Sequence, residues 1–294
     1  DEAWRWKAYG LSRPLTASPS NRGEYTLSSN GIVLTGTVVV VEKTTLTIRG
    51  ERGALQPTIK PAYYAPFDHL LVNQADRYRL FFVKGELHLE YVRLLGGMLA
   101  MANVAEVYDL DSGIPTWVPS CESTAHVFCG GNQIYFGDGL YGVLDRNLTL
   151  NITDSVLENA GDITLAEAIK YVIIPGGSIA SLANVDGTGT NRVHLSNTRL
   201  TGNVNSNGGA IGLYGSLLTF HGGGNVLRNN TATNPMLKGN QIVLINPEVY
   251  FTACPPGKYY NSPMSSIVDE PLDGCPNMCE LGTFGDKNEE RVDV

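Results

Sequence analysis

The chain has 294 residues, enough for one large domain or two ordinary ones, and 43% of them are hydrophobic, so a sizeable core is within reach. Charged residues make up only 17%, glycine numbers 33, and the net charge is −8 at pH 7. This balance disfavours binding to nucleic acid or an anionic membrane, and no apolar run approaches the ~20 residues that span a bilayer.

Residues 1–22 are aromatic and irregular, with Trp4, Trp6 and Tyr9. A stack of strands must cover its open end or another chain will pair with it, so this segment is expected to be an N-terminal cap. Asp1-Glu2 fits a mature terminus left after signal cleavage. From Tyr25 the strand signals are short and close together, at residues 32–34, 38–41 and 45–48. Five triplets then share an apolar–polar–apolar form: Leu46-Thr47-Ile48, Leu87-His88-Leu89, Leu150-Asn151-Ile152, Val193-His194-Leu195 and Leu218-Thr219-Phe220. Period-two alternation puts the outer pair of each triplet on one face and the middle residue on the other.

A second short strand follows most triplets at constant offset. Leu94, Leu157 and Leu200 each lie five residues past the last apolar residue, while Leu227 lies seven past Phe220, with Gly222, Gly223 and Gly224 absorbing the difference. Successive triplet ends are separated by 41, 63, 43 and 25 residues. These read as multiples of a repeat of ~20–25 residues, the range of solenoid repeats. The expected fold is all-β, a parallel β-helix over residues 23–251. Asn recurs beyond the second strand at Asn159, Asn203 and Asn229-Asn230, and predicts a hydrogen-bonded ladder in which Asn230 is a better member than Asn229. Helix-like runs are almost absent, and the best is short, at residues 163–171.

Residues 106–140 break the repeat with Pro115, Trp117, Pro119 and the pair Cys121 and Cys129. They are expected to form a loop inserted in the stack and pinned by a Cys121–Cys129 disulfide, which stabilises by about 2–3 kcal/mol. Long ordered loops are often functional, so a binding surface is expected here. Three sequons, at Asn147, Asn151 and Asn229, join the locally spaced cysteines in pointing to an oxidising, secretory environment and to N-linked glycan.

The run from Val193 to Ala232 contains Gly208-Gly209-Ala210-Ile211 and Leu227-Arg228-Asn229-Asn230. It resembles the GGAI and FxxN repeats of polymorphic outer-membrane-protein β-helices, in the pectin-lyase-like class, with Leu227 in place of the usual Phe. Gly176-Gly177-Ser178-Ile179 is a weaker copy. The resemblance implies a right-handed β-helix with a surface or adhesin-like role. The segment 252–294 is similar to the ephrin-receptor-like (GCC2/GCC3) cysteine-rich module, an EGF-like kind of small disulfide fold. Its Cys-x-x-Gly-x-Tyr/Phe phrase occurs at Cys254 and again at Cys279, although the spacing from Cys275 to Cys279 is one residue longer than the module's common form. This resemblance implies a disulfide between Cys254 and Cys275. Cys279 is then left over: it opens a second module of a longer array, or it is a free or intermolecular thiol.

No catalytic cluster stands out. Asp76, Arg77 and Arg79, and Arg49, Glu51 and Arg52, are close only in sequence. Asp109, Asp111, Asp138 and Asp162 would suit Ca²⁺ by residue type, but their spacing matches no known loop, and no zinc spacing, phosphate loop or nucleophile elbow occurs. Cofactors and metals are therefore expected to be none. His88 and His194 occupy triplet middles together with the sequon Asn151, which assigns them to an outer surface. The expected function is an extracellular structural or adhesive glycoprotein: a β-helix component of a cell-surface fibre, a mastigoneme-like hair or a matrix filament. Its partners would be other copies or other structural proteins. The alternative is a carbohydrate-active lyase or hydrolase, or a glycan-binding module. Peptides holding Asn147, Asn151 and Asn229 are expected to carry hexosamine mass in native material, and iodoacetamide without reduction should spare Cys121 and Cys129; unmodified peptides or labelled thiols would undo the secretory reading.

Overall fold

Short β-branched and leucine-bearing segments punctuated by glycine and asparagine leave the backbone one main way to satisfy its polar groups, which is pairing with other strands. The computed structural model describes residues 22–34, 37–40, 43–53, 55–62, 79–97, 104–108, 115–119, 131–137, 148–161, 163–168, 176–182, 191–235, 239–245, 249–252, 258–259, 267–275 and 277–278. Nearly all of their regular structure is strand, and the one helix among them is Ile163–Ala168, inside the run that showed helical character in the sequence.

The strands form three seven-stranded sheets. The first takes Arg22–Leu27, Thr45–Gly50, Glu86–Glu90, Thr149–Thr153, Asn191–Ser196, Ser216–His221 and Val249–Thr252 in that order. The second takes Ile32–Leu34, Thr58–Pro61, Arg93–Leu95, Val156–Glu158, Arg199–Thr201, Val226–Arg228 and then Leu272–Asp273. The third takes Val38–Val40, Phe81–Val83, Ile134–Phe136, Ile179–Leu182, Ile211–Tyr214, Ile242–Ile245 and then Ile267–Val268. From Arg22 to Thr252 the chain visits the three sheets in a fixed order, circuit after circuit, and each of these sheet strands pairs parallel with its counterpart one circuit away.

Inward residues line up across neighbouring strands. Leu46, Leu87, Leu150, Val193 and Leu218 are register partners in the first sheet. So are Ile59, Leu94, Leu157, Leu200 and Leu227 in the second, and Phe81, Ile134, Ile179, Ile211 and Ile242 in the third. These columns meet in one hydrophobic core between the sheets. All five sequence triplets are therefore on adjacent strands, and the expected offset to the second strand holds even for Leu227. Each interval between triplets is a single circuit, not the multiple of a shorter repeat that the spacing predicts. The segments between strands carry the excess length, because lengthening a connection costs little closure entropy.

The 106–140 segment is also more varied than a loop. Val104–Tyr108 pairs antiparallel with Pro115–Pro119, and Ile134–Phe136 is a full member of the third sheet. Cys121 and Cys129 lie outside the described residues, as does the expected cap except for Arg22. In the 252–294 segment, Ile267–Val268 and Leu272–Asp273 lie antiparallel along Ile242–Ile245 and Val226–Arg228 and close those two sheets. Lys258–Tyr259 pairs with Asn277–Met278. Cys275 is buried and disulfide-bonded, with its partner outside the described residues.

Two corners repeat their backbone chemistry. Between the first and second sheets, Tyr91, Asp154 and Asn197 have φ of 54°, 49° and 47°. After the second sheet, Gly96, Asn159, Gly202 and Asn229 have φ of 72°, 53°, 66° and 56°. Such left-handed positions favour Gly and Asn, which explains the recurring asparagines at 159 and 229. The buried amide ladder is one residue later, at Ala160, Asn203 and Asn230. Asn203 Oδ1 accepts from the Ala160 N–H at 3.0 Å, and Asn230 Oδ1 accepts from the Asn203 N–H and Nδ2 at 3.0 Å each. Asn230 Nδ2 donates to the Leu200 carbonyl and on to Gln241 Oε1. Asn230 rather than Asn229 is in the ladder, as expected, while Asn159 is exposed and outside it.

Four strands of the third sheet begin with a shared phrase. Gly131-Asn132-Gln133-Ile134, Gly176-Gly177-Ser178-Ile179, Gly208-Gly209-Ala210-Ile211 and Gly239-Asn240-Gln241-Ile242 stack on successive circuits, with glycine φ of 61°, 76°, 63° and 54°. A Cβ at Gly208 would collide with the Ile211 carbonyl. The two Gly-Asn-Gln-Ile copies are identical in sequence, a signal that the Gly-Gly-Ala-Ile pattern alone does not capture.

Leu157→Ala is expected to cost about 2–5 kcal/mol by leaving a cavity, and Asn230→Ala about 1–3 kcal/mol by orphaning buried amide partners. Asn229→Gly, which keeps the left-handed backbone, should stay within roughly 0.5 kcal/mol. Urea unfolding of the three variants checks the order.

Candidate functional site: the outer face of the first sheet

Alternation along the first sheet turns every second side chain away from the core. Thr47, His88, Asn151, His194 and Thr219 are register partners on this outer face, and Arg49, Glu90, Thr153, Ser196 and His221 form the next column. Neighbouring strands stand about 4.8 Å apart, so side chains one strand apart touch.

The first half of the face carries compensated charge. Arg49 bridges Glu24 and Glu90, its Nε lying 2.9 Å from Glu90 Oε2. Arg52 reaches Glu90 at 3.4 Å and Asp154 at 3.0 Å, and Asn197 Nδ2 donates to Asp154 at 2.7 Å. The chain of charges crosses several strands, yet its members are largely exposed, so each pair contributes about 0–1 kcal/mol.

Histidines begin on the strand that carries Glu90 and continue toward the other end of the face. His88 Nδ1 is 3.2 Å from Asn151 Nδ2, the nitrogen that a glycan would occupy, and His88 Nε2 is 3.8 Å from Glu86. Asn151 Nδ2 donates, so His88 Nδ1 is the accepting, unprotonated nitrogen. His194 Nδ1 and His221 Nε2 face each other at 3.0 Å, their rings stacked with centroids 5.2 Å apart. Burial holds the His194 pKa below its ordinary value, and the charges of His221 and Arg192 lower it further; burial lowers that of His221.

The third sheet is different on its outer side. Phe82, Tyr135 and Ala180 form a separate buried cluster, with the Arg79 guanidinium 5.8 Å and 5.0 Å from the Phe82 and Tyr135 ring centroids. Burial lowers the Arg79 pKa to about 10, against an opposing influence of Tyr135, so it stays charged at neutral pH. The second sheet shows outward ion pairs, Arg93 with Glu158 and Arg228 with Asp273.

Asn151 is half-buried at the centre of the first sheet, and Asn229 is exposed in its turn. Asn147, Cys254, Cys279, Asp76, Arg77, Asp109, Asp111, Asp138 and Asp162 lie outside the described residues. Arg49 and Arg52 do come together, through Glu90, whereas Arg79 is on another sheet. Among the described residues, no group of three or more His, Cys, Asp or Glu side chains is placed to hold a metal ion, and no helix is long and apolar enough to cross a membrane. His221 escaped the triplet pattern because it follows Phe220, and only the register with Ser196 brings it against His194. No protein-family model, curated protein or solved structure matches the chain. Its function has to be read from its own chemistry.

The lowered histidine pKa values set a pH dependence. The unfolded chain takes up these protons near pH 6.5, before the folded chain does. The pair therefore supports the fold above that pH, and the support is lost as pH falls through the depressed folded values. Urea midpoints should drop between pH 7.5 and 5, with a smaller drop in the double variant His194→Gln/His221→Gln; equal slopes would contradict this.

Proposed function

We propose that this chain is a right-handed parallel β-helix, glycosylated on its exposed surfaces, that serves as a structural or adhesive component of an extracellular fibre, hair or matrix. The observation that carries the reading is the placement of two sequons. Asn151 is on the outer face of the first sheet, and Asn229 is exposed in the turn after the second, each followed two residues later by a threonine. Glycan there would coat two faces of the stack. The repeated order of the three sheets supports the helical winding, and the stacked Gly-x-x-Ile corners support the likeness to GGAI-type repeats.

A stack held by parallel register over many circuits resists bending, which suits a rod rather than a hinge. In this reading the C-terminal segment closes the stack and continues into cysteine-rich modules, with Cys254 paired to Cys275. Partners would be further copies of the chain or other extracellular structural proteins.

The competing reading is a carbohydrate-active or glycan-binding β-helix, and the histidine-rich part of the first sheet is the feature in its favour. Electron microscopy of native material separates the two. Repeating contacts between rods along a fibre are expected; monodisperse particles that turn over an acidic polysaccharide would overturn the structural assignment.

A further inference from the structure

We infer that His194 and His221 together form a surface site for a late first-row divalent cation, Cu²⁺ or Zn²⁺. Imidazole nitrogen suits these ions. Zn–N bonds of about 2.0–2.1 Å place two adjacent ligands of one ion roughly 2.9–3.4 Å apart, depending on whether the coordination angle is square or tetrahedral. The facing nitrogens, His194 Nδ1 and His221 Nε2, are 3.0 Å apart.

The pair is held in place before any ion arrives. The two strands are in register over six residue pairs, from Asn191 opposite Ser216 to Ser196 opposite His221, so backbone bonds fix the separation of the rings. The rings are also partly buried, which limits their rotation. A neutral imidazole is the form that binds metal, and burial, which lowers both pKa values, favours that form.

In the metal-free state one facing nitrogen must carry the proton of the His–His hydrogen bond. On binding, that proton moves to the other nitrogen of the same ring, so two neutral rings take up the ion with no net proton release. Two protein ligands leave further positions to water, the arrangement of an open site. The groups around the pair are Asn151, Ser196 and Thr219 on paired positions of the sheet, with Arg192 on the strand of His194. None of these is a carboxylate. Arg192 opposes a cation, and its charge already acts on His194.

The inference is independent of the structural role proposed above. Its test is calorimetric titration of untagged, thiol-alkylated full chain with Cu²⁺ at pH 7.5 and pH 5. One saturable equivalent is expected to weaken at least tenfold in His194→Ala and in His221→Ala, to survive in His88→Ala, to tighten in Arg192→Gln, and to weaken at pH 5. The Cu²⁺ electron paramagnetic resonance spectrum of that equivalent should show two nitrogen ligands. Unchanged titrations in the His194 and His221 variants, with their thermal midpoints intact at pH 7.5, would overturn the site, as would the absence of saturable binding in the wild-type chain.

Discussion

Parallel strands cannot satisfy their backbone groups alone, and here each finds its partner one circuit away in the chain. That dependence on register governs everything else. A slip of one residue would turn a whole column of leucine and isoleucine outward and bring histidine and asparagine into the core. The columns Leu87–Leu150–Val193 and Leu94–Leu157–Leu200 therefore do more than bury area: they hold the sheets to one alignment. Buried amides reinforce it at the corners. The Asn203–Asn230–Gln241 ladder satisfies backbone groups of two neighbouring circuits, and a shifted strand would leave those groups without partners.

The same register creates the surface chemistry. Because outward residues are forced into columns, side chains far apart in sequence become neighbours on a regular grid. Arg52 meets Asp154, and His194 meets His221, although no local motif joins either pair. Ion pairs gather toward the Arg22–Leu27 end of the first sheet, and the histidines run from the strand of Glu90 to that of Phe220. The third sheet hides its outer column instead, so the first and second sheets are the ones that present polar surface.

The triplet pattern was legible in the sequence because strand alternation is local, and the offset to the second strand was legible because the intervening turn is short. Circuit length was not. The insertions between sheets vary freely, since the stack constrains only where they leave and return. Two of the four Gly-x-x-Ile corners were also hidden, because Gln133 and Gln241 replace the small residue that marks the phrase at Ser178 and Ala210. Of the asparagines expected in the ladder, Asn203 and Asn230 are there for their amides, while Asn159, like Asn229, is there for its left-handed backbone, and the ladder continues through the Ala160 N–H instead. One residue type met two unrelated physical demands in adjacent positions.

The amino-acid sequence by itself determined which side chains face inward, which corners need glycine or asparagine, and which asparagines are sequons, because each of these depends on a few neighbouring residues. The tertiary structure alone decided that consecutive triplets lie on adjacent strands, that Ile134–Phe136 belongs to the third sheet, and that His221 lies against His194. Those outcomes rest on hydrogen bonds between segments tens of residues apart, and no local pattern specifies the length of chain between them.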